Sequence, residues 1–386
     1  MTAHDLYNKG TDAFHKKKYD KAAKLLKESI KVAESREAYL NLGATYKQQG
    51  DLKKALACFE KSLAKDPKYP LALNNIGLVY HMWNQEAKAD GYFKRALELD
   101  PNYADAGWNL ALSILKRAVE GDISLFTEGW AQYEWRFHKT NPVGLPTVNK
   151  PRWMGEVGKK LLVIAEQGVG DNVMFMRYLP FVEEHCEIVV HAPKELHEFF
   201  VDYNVTITSD IDYDFYVPIC SLPNYFKIIP YGAYLNYTGE LREDLAGGIG
   251  IVWKGNPLHG NDANRSTYEG NFKRFAKYGK LYSLQYGEKA KFSENLGSKS
   301  WDDTIRFISS LDAVITIDSS VAHVAGALGK KVFILIPGID TDFRWGLTGD
   351  KSIWYENATL IRNMNFDECE RKVAEWRNET TNRSTA

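Results

Sequence analysis

Apolar and small positions in the first third of the chain recur at helical spacing and also at a longer interval. Asn41, Asn75 and Asn109 lie 34 residues apart, and so do Gly43, Gly77 and Ala111. Tyr46 pairs in the same way with Tyr80, Ala55 with Ala89, Phe59 with Phe93, and Pro67 with Pro101. A looser first copy places Gly10, Tyr19 and Ala22 33 residues before Gly43, Leu52 and Ala55. Small residues on the first helix of each pair let the second approach, aromatic residues fill the space between, and Asp-Pro steps stop one helix and start the next. The pattern predicts stacked helix pairs from residue 1 to about 120. A fourth copy begins at Asp105 and is expected to run out near Gly121. An aromatic stretch follows, with Trp130, Tyr133, Trp135 and Phe137, read as a connector over 121–158 that joins the array to the next domain.

After residue 158 the period changes. Residues 161–165 form a continuous apolar run, the signature of a strand buried on both faces of a parallel sheet. Further strands are expected at 187–191, 205–208 and 214–219, with a helix over 172–184 after the first. A second series begins beyond Gly247-Gly248, at 249–253, 280–285, 313–317, 332–336 and 359–362. This reads as two Rossmann-like lobes, 159–246 and 247–386. Ligands of such sheets bind beyond the carboxyl ends of the strands.

Three strand ends carry candidate chemistry. Gln167, Gly168 and Gly170, candidate nucleotide-sugar contacts, form a turn that presents Asp171 at a helix start. The third glycine of a dinucleotide fingerprint would fall at Val173, which argues against NAD. Asp318-Ser319-Ser320 opens a helix of small residues containing His323, where free amides and hydroxyls suit a phosphate. Lys254, Asn256 and Arg265 lie in the loop after the strand at 249–253 and could offer cations and an amide to a diphosphate. On local grounds Asp171 could equally be a helix cap, Ser319 an ordinary N-cap, and His323 a core residue.

The chain holds 49 basic and 50 acidic side chains, so no global field selects nucleic acid or a membrane, and an anionic ligand needs local groups. Four scattered cysteines offer no metal or redox motif. A start without a basic-apolar leader, and no apolar run near 20 residues, lead to the expectation of a cytoplasmic protein with no membrane span.

The 34-residue register resembles the tetratricopeptide repeat. Together with Glu166-Gln167-Gly168-Val169-Gly170-Asp171, Arg177-Tyr178-Leu179-Pro180, Ser221-Leu222-Pro223, Trp253-Lys254-Gly255-Asn256-Pro257 and Asp318-Ser319-Ser320-Val321-Ala322-His323, it resembles repeat-bearing bacterial and phage proteins whose C-terminal half is similar to the heptosyltransferases, glycosyltransferases of the two-lobed GT-B fold. The resemblance implies an inverting transfer from a nucleoside-diphosphate sugar to a hydroxyl acceptor, with no cofactor and no metal. It implies Asp171 as base and a nucleotide seat at Asp318, Ser319, Ser320 and His323, with Lys254 and Arg265 beside it. Asp342-Phe343-Arg344-Trp345 also resembles that branch, without an evident chemical duty. The repeats would present an acceptor protein, glycan or other hydroxyl-bearing polymer, or hold a homo-oligomer. Two other classes stay open: a non-catalytic scaffold whose α/β half is a nucleotide-sugar sensor or relic, and a metal-dependent transferase using Asp210, Asp212 and Asp214 or Asp340 and Asp342.

Overall fold

A computed structural model describes residues 1–122, 124–230 and 232–384, in two compact units, Met1–Pro142 and Val143–Ala386. Ile123, Tyr231 and the last two positions of the second predicted lobe lie outside the described residues.

The first unit is helical: α1 (Ala3–His15), α2 (Tyr19–Val32), α3 (Arg36–Gln48), α4 (Leu52–Lys65), α5 (Pro70–Met82), α6 (Glu86–Leu99), α7 (Ala104–Ala118) and α8 (Ser124–Tyr133). Consecutive helices pack as pairs, α1 with α2 through α7 with α8. The glycines that carry the period sit where a side chain would collide. A Cβ at Gly43 would come within 2.5 Å of the Phe59 ring, and one at Gly77 equally close to Phe93. Thr2, Ser35 and Asp51 cap three helix starts with their side chains. Asp66 and Asp100 each accept a hydrogen bond from the amide two residues on, at 3.0 and 3.1 Å, which turns the chain at the Asp-Pro steps.

The fourth copy does not end near Gly121. Its second helix is α8, and the aromatic part of the stretch read as a connector packs on α7: a Cβ at Gly107 would meet Trp135, and one at Gly129 would meet Leu115, while the residues from Val143 on belong to the second unit. Trp130 and Tyr133 are buried, with ring centroids 5.2 Å apart. The aromatic residues that seemed to await another domain are therefore core of the repeat unit itself.

The junction between α6 and α7 buries charge. Lys116 Nζ lies 2.8 Å from Glu86 Oε1, and both side chains are fully inaccessible. Glu86 Oε2 also meets His81 Nδ1 at 2.6 Å and accepts from Ser113 Oγ at 2.8 Å. Burial pushes the Glu86 carboxyl up, but the His81 hydrogen bond and the charges of His81 and Lys116 outweigh it and hold the pKa below the usual range.

The second unit contains two all-parallel sheets. The first has order β3-β2-β1-β4, from β1 (Lys160–Ile164), β2 (Glu187–His191), β3 (Asn204–Thr206) and β4 (Phe215–Pro218). The second has order β10-β9-β8-β5-β6-β7, from β5 (Ile249–Val252), β6 (Leu281–Ser283), β7 (Glu294–Asn295), β8 (Ala313–Ile317), β9 (Lys331–Leu335) and β10 (Ala358–Ile361). Strand order reverses between β1 and β4 in one sheet and between β5 and β8 in the other, and the carboxyl ends of strands at such reversals are where open parallel sheets bind ligands.

The helices of this unit are α9 (Val169–Phe175), α10 (Leu179–Glu183), α11 (Leu222–Phe226), α12 (Asp262–Arg265), α13 (Trp301–Ser310), α14 (Ser320–Ala327) and α15 (Phe366–Ser384). The single helix expected over 172–184 is split into α9 and α10, because Pro180 has no amide hydrogen to continue the ladder. Arg177 Nε donates to the Met174 carbonyl, at 2.9 Å. Cys58, Cys186, Cys220 and Cys369 are all buried, and none is in a disulfide.

Candidate functional site

The turn after β1 is built around a side chain that the sequence pattern did not single out. Asn172, fully buried, donates to the carbonyls of Glu166 (2.9 Å) and Gly168 (2.8 Å) and accepts from the Glu166 amide at 3.2 Å. Gln167 pays for the tight turn with a left-handed φ of 61°. Asp171 Oδ2 accepts from the Gly168 amide at 2.9 Å, which leaves Oδ1 to point elsewhere. Gly170 has a packing role: a Cβ there would come within 2.8 Å of the His323 ring, so its absence lets α9 lie against α14.

Arg344 meets Asp171 Oδ1 from the second sheet's side of the unit. The same guanidinium donates to both oxygens of Asp342, at 2.9 and 2.8 Å, and the Asp342 carboxylate also caps the Arg344 amide at 2.9 Å. The next residue, Trp345, donates from Nε1 to Asp318 Oδ1 at 2.8 Å and stacks on His323 with centroids 5.2 Å apart. The segment 342–345 thus ties the β1 turn to the start of α14. Arg265 completes the cluster by donating to the Asp318 carbonyl at 3.0 Å.

The electrostatics differ from residue to residue. Burial, then the neighbouring Asp342 carboxylate, pushes the Asp318 pKa up to about 6. Burial, then the charge of Arg344, pulls the His323 pKa down to about 3, so its imidazole is neutral at physiological pH. His323 Nδ1 shares a hydrogen bond of 2.8 Å with the Tyr355 hydroxyl. This histidine is a buried, neutral, hydrogen-bonded wall of the site, unsuited to proton transfer near pH 7. Ser319 is the N-cap by position only: its hydroxyl meets Thr316 Oγ1 at 3.1 Å and does not cap the helix, and Ser320 is half-buried beside it.

The first sheet and the second are also held together by Arg177. It is 1% exposed and donates to the Trp354 carbonyl at 2.9 Å and to the Tyr234 hydroxyl at 3.0 Å, with its guanidinium 4.9 Å from the Tyr355 ring centre. Cation–π contacts and carbonyls satisfy this charge without a solvent shell.

Lys254 and Asn256 are used elsewhere. The Lys254 ammonium pairs with Glu288 at 2.8 Å, and its amide donates to Gln285 Oε1 at 2.9 Å. Asn256 closes its own turn by accepting from the Leu258 amide at 3.0 Å. Among the acidic pairs, Asp214 accepts from the Lys160 amide at 3.0 Å and Asp342 serves Arg344. Among the described residues no group of three or more His, Cys, Asp or Glu side chains converges as metal ligands would. No helix of the described residues is long and apolar enough to cross a membrane.

An aspartate whose native pKa exceeds its unfolded value, about 3.9, favours folding in the protonated form. That contribution is complete below about pH 4 and disappears as the pH climbs through about 6. Asp318→Asn keeps an oxygen for Trp345 and never ionises. It is expected to melt several degrees above the wild type at pH 7.5, with most of that gap closed at pH 4, by scanning calorimetry. An equal shift at both pH values would show that the Asp318 charge is not strained.

Comparison with known proteins agrees with the helical unit. Residues 2–68 and 34–102 match the tetratricopeptide repeat model, so the N-terminal part of the chain is a tetratricopeptide-repeat array. The chain is similar to Protein FlbA of Caulobacter vibrioides, 26% identical, over 54% of this chain and 45% of that protein. It therefore spans under half the length of that relative. Among solved structures, MamA aligns at 21% identity over 34% of this chain and 75% of its own, with a TM-score of 0.31. A thermophilic repeat protein of Thermus thermophilus aligns at 19% identity over 35% and 78% of the two chains, also at 0.31.

Proposed function

We propose that residues 143–386 form an inverting, metal-independent glycosyltransferase with the two nucleotide-sugar lobes of the GT-B fold, similar to the heptosyltransferases, and that the repeats bind a protein partner or the acceptor. The observation that carries this reading is the meeting, at the strand-order reversals of two parallel sheets, of one carboxylate with a helix start flanked by two arginines. General-base chemistry and diphosphate stabilisation need those groups on opposite sides of a reacting sugar.

In the proposed reaction the acceptor oxygen attacks the anomeric carbon and its proton passes to Asp171. The bond from that carbon to the phosphate oxygen breaks, and the electron pair leaves with the nucleoside diphosphate. The α14 start, Arg265 and Arg344 face that departing charge. One displacement inverts the anomeric centre. The neutral His323 gives the seat shape and polarity.

Replacing Ser319 and Ser320 together with leucine is expected to weaken nucleoside diphosphate binding at least tenfold, by calorimetry, because the hydroxyls are lost and the first turn of α14 is covered. Unchanged affinity in a folded variant would move the seat. The donor is sought by thermal shift against UDP, GDP, ADP and CMP sugars, since a ligand of the native state raises the melting temperature. Slow donor hydrolysis that survives EDTA supports the reading, whereas turnover only with manganese favours the metal-dependent class.

One observation favours the scaffold reading: the Asp171 carboxylate is held by Arg344. Saturable nucleotide-sugar binding without any turnover, in a chain that still captures a partner through its repeats, would select it.

A further inference from the structure

The segment 342–345 is a short 3-10 turn, Phe343–Trp345, capped by Asp342 and fastened to Asp318 through the Trp345 indole. Its backbone therefore belongs to the α14 end of the site, while the Arg344 side chain reaches over to Asp171. The guanidinium carries one positive charge against two carboxylates, and its Nε is directed at the Met174 sulfur at 3.2 Å, a weak acceptor. The arginine and Asp171 side chains are 10% and 18% accessible, so the pair is sheltered yet open to an incoming group. A planar guanidinium fork matches phosphate oxygens as well as it matches carboxylate oxygens, and a diphosphate brings more charge.

We propose that Arg344 is a ligand-displaced latch: it holds Asp171, and when a nucleoside diphosphate group arrives it exchanges Asp171 for a phosphate oxygen and frees that carboxylate. The inference rests on the reading of the site as a diphosphate seat with Asp171 opposite. It deepens that reading, because the base becomes available only once the donor is in place. Asp342 keeps its own two bonds to the guanidinium and guides the exchange. Asp171 and the ligand then compete for one partner, and this competition fixes the sign of a mutational effect that simple packing would not produce.

The test is calorimetric titration of the intact chain with UDP, ADP and inorganic pyrophosphate, in wild type, Arg344→Gln, Arg344→Lys and Asp171→Asn, each first checked for a native thermal transition. Arg344→Gln is expected to bind the tightest of the three probes at least tenfold more weakly than wild type, with Arg344→Lys in between. Asp171→Asn is expected to bind it about three- to tenfold more tightly, because the competing carboxylate is gone. If Asp171→Asn leaves affinity unchanged or lowers it, there is no exchange and the latch is overturned. If Arg344→Gln binds like wild type, Arg344 is no phosphate ligand. Should the Arg344 variants fail to fold, the Asp171→Asn result decides alone. Wild-type binding of a probe with either negative result sinks the latch and spares the transferase reading, while no wild-type binding to any probe sinks both.

Discussion

Asp171→Asn is expected to lower sugar transfer by about 10²- to 10⁴-fold, the usual contribution of a positioned general base, while a nucleoside diphosphate still binds. The substitution is well suited to the question because the amide oxygen can still accept from the Gly168 amide, as Oδ2 does at 2.9 Å, so the turn after β1 keeps its shape. What is lost is the ability to take a proton. The Asn172 side chain, which holds the same turn through the Glu166 and Gly168 carbonyls, is untouched. Single-turnover measurement with the donor found by thermal shift separates this from a binding defect, since a base acts on the chemical step. A variant that transfers at the wild-type rate would reduce Asp171 to a helix cap and the partner of Arg344.

Glu86→Ala is expected to destabilise the repeat array by about 3–5 kcal/mol, the range for removing one member of a buried ion pair. Lys116 would then be left fully inaccessible without its carboxylate, and His81 and Ser113 would lose the oxygen they share. Most of the cost is the stranded ammonium and little of it is the lost attraction. Converting both partners, Glu86→Leu with Lys116→Met, should therefore recover much of the loss, and the double-mutant cycle should show strong non-additivity. Urea unfolding of the full chain, with hydrogen exchange followed on peptides from α5 to α7, reads the effect where it arises. A loss below about 1 kcal/mol for Glu86→Ala would mean that water reaches Lys116 in solution.

The parts of this molecule that were legible in the chain are those where one physical cause acts locally. Gly43 facing Phe59 and Gly77 facing Phe93 follow from a 34-residue period, and apolar runs such as 161–165 and 313–317 mark strands buried on both faces. The fourth helix pair was harder to see. Gly107 takes Trp135 as its partner, a residue beyond the repeat register, so an aromatic stretch that belongs to the array reads as a joint. The edge strand β7, two residues long, leaves no periodic trace.

The candidate site divides in the same way. Asp171, Asp318 and Ser319 follow strands and announce themselves by position, whereas Arg344 lies 173 residues from its carboxylate partner and only the fold joins them. Asn172 escaped notice because a buried asparagine in an amphipathic stretch looks like any polar helix residue. Lys254 had the charge expected of a phosphate ligand, but charge alone could not reveal that Glu288 stands 2.8 Å away.

The four buried cysteines turn the chain into its own stopwatch. A thiol reacts with a maleimide as the thiolate, and burial raises the pKa of Cys58, Cys186 and Cys369 in addition to hiding them. The native surface therefore presents no ready sulfur, and alkylation waits for a segment to open. Cys58 lies in the helical unit and Cys186, Cys220 and Cys369 in the sheet-bearing one. The label on Cys58 and those on Cys186, Cys220 and Cys369, assigned by peptide mass, would time the breathing of each unit separately, in one sample and without any engineered probe.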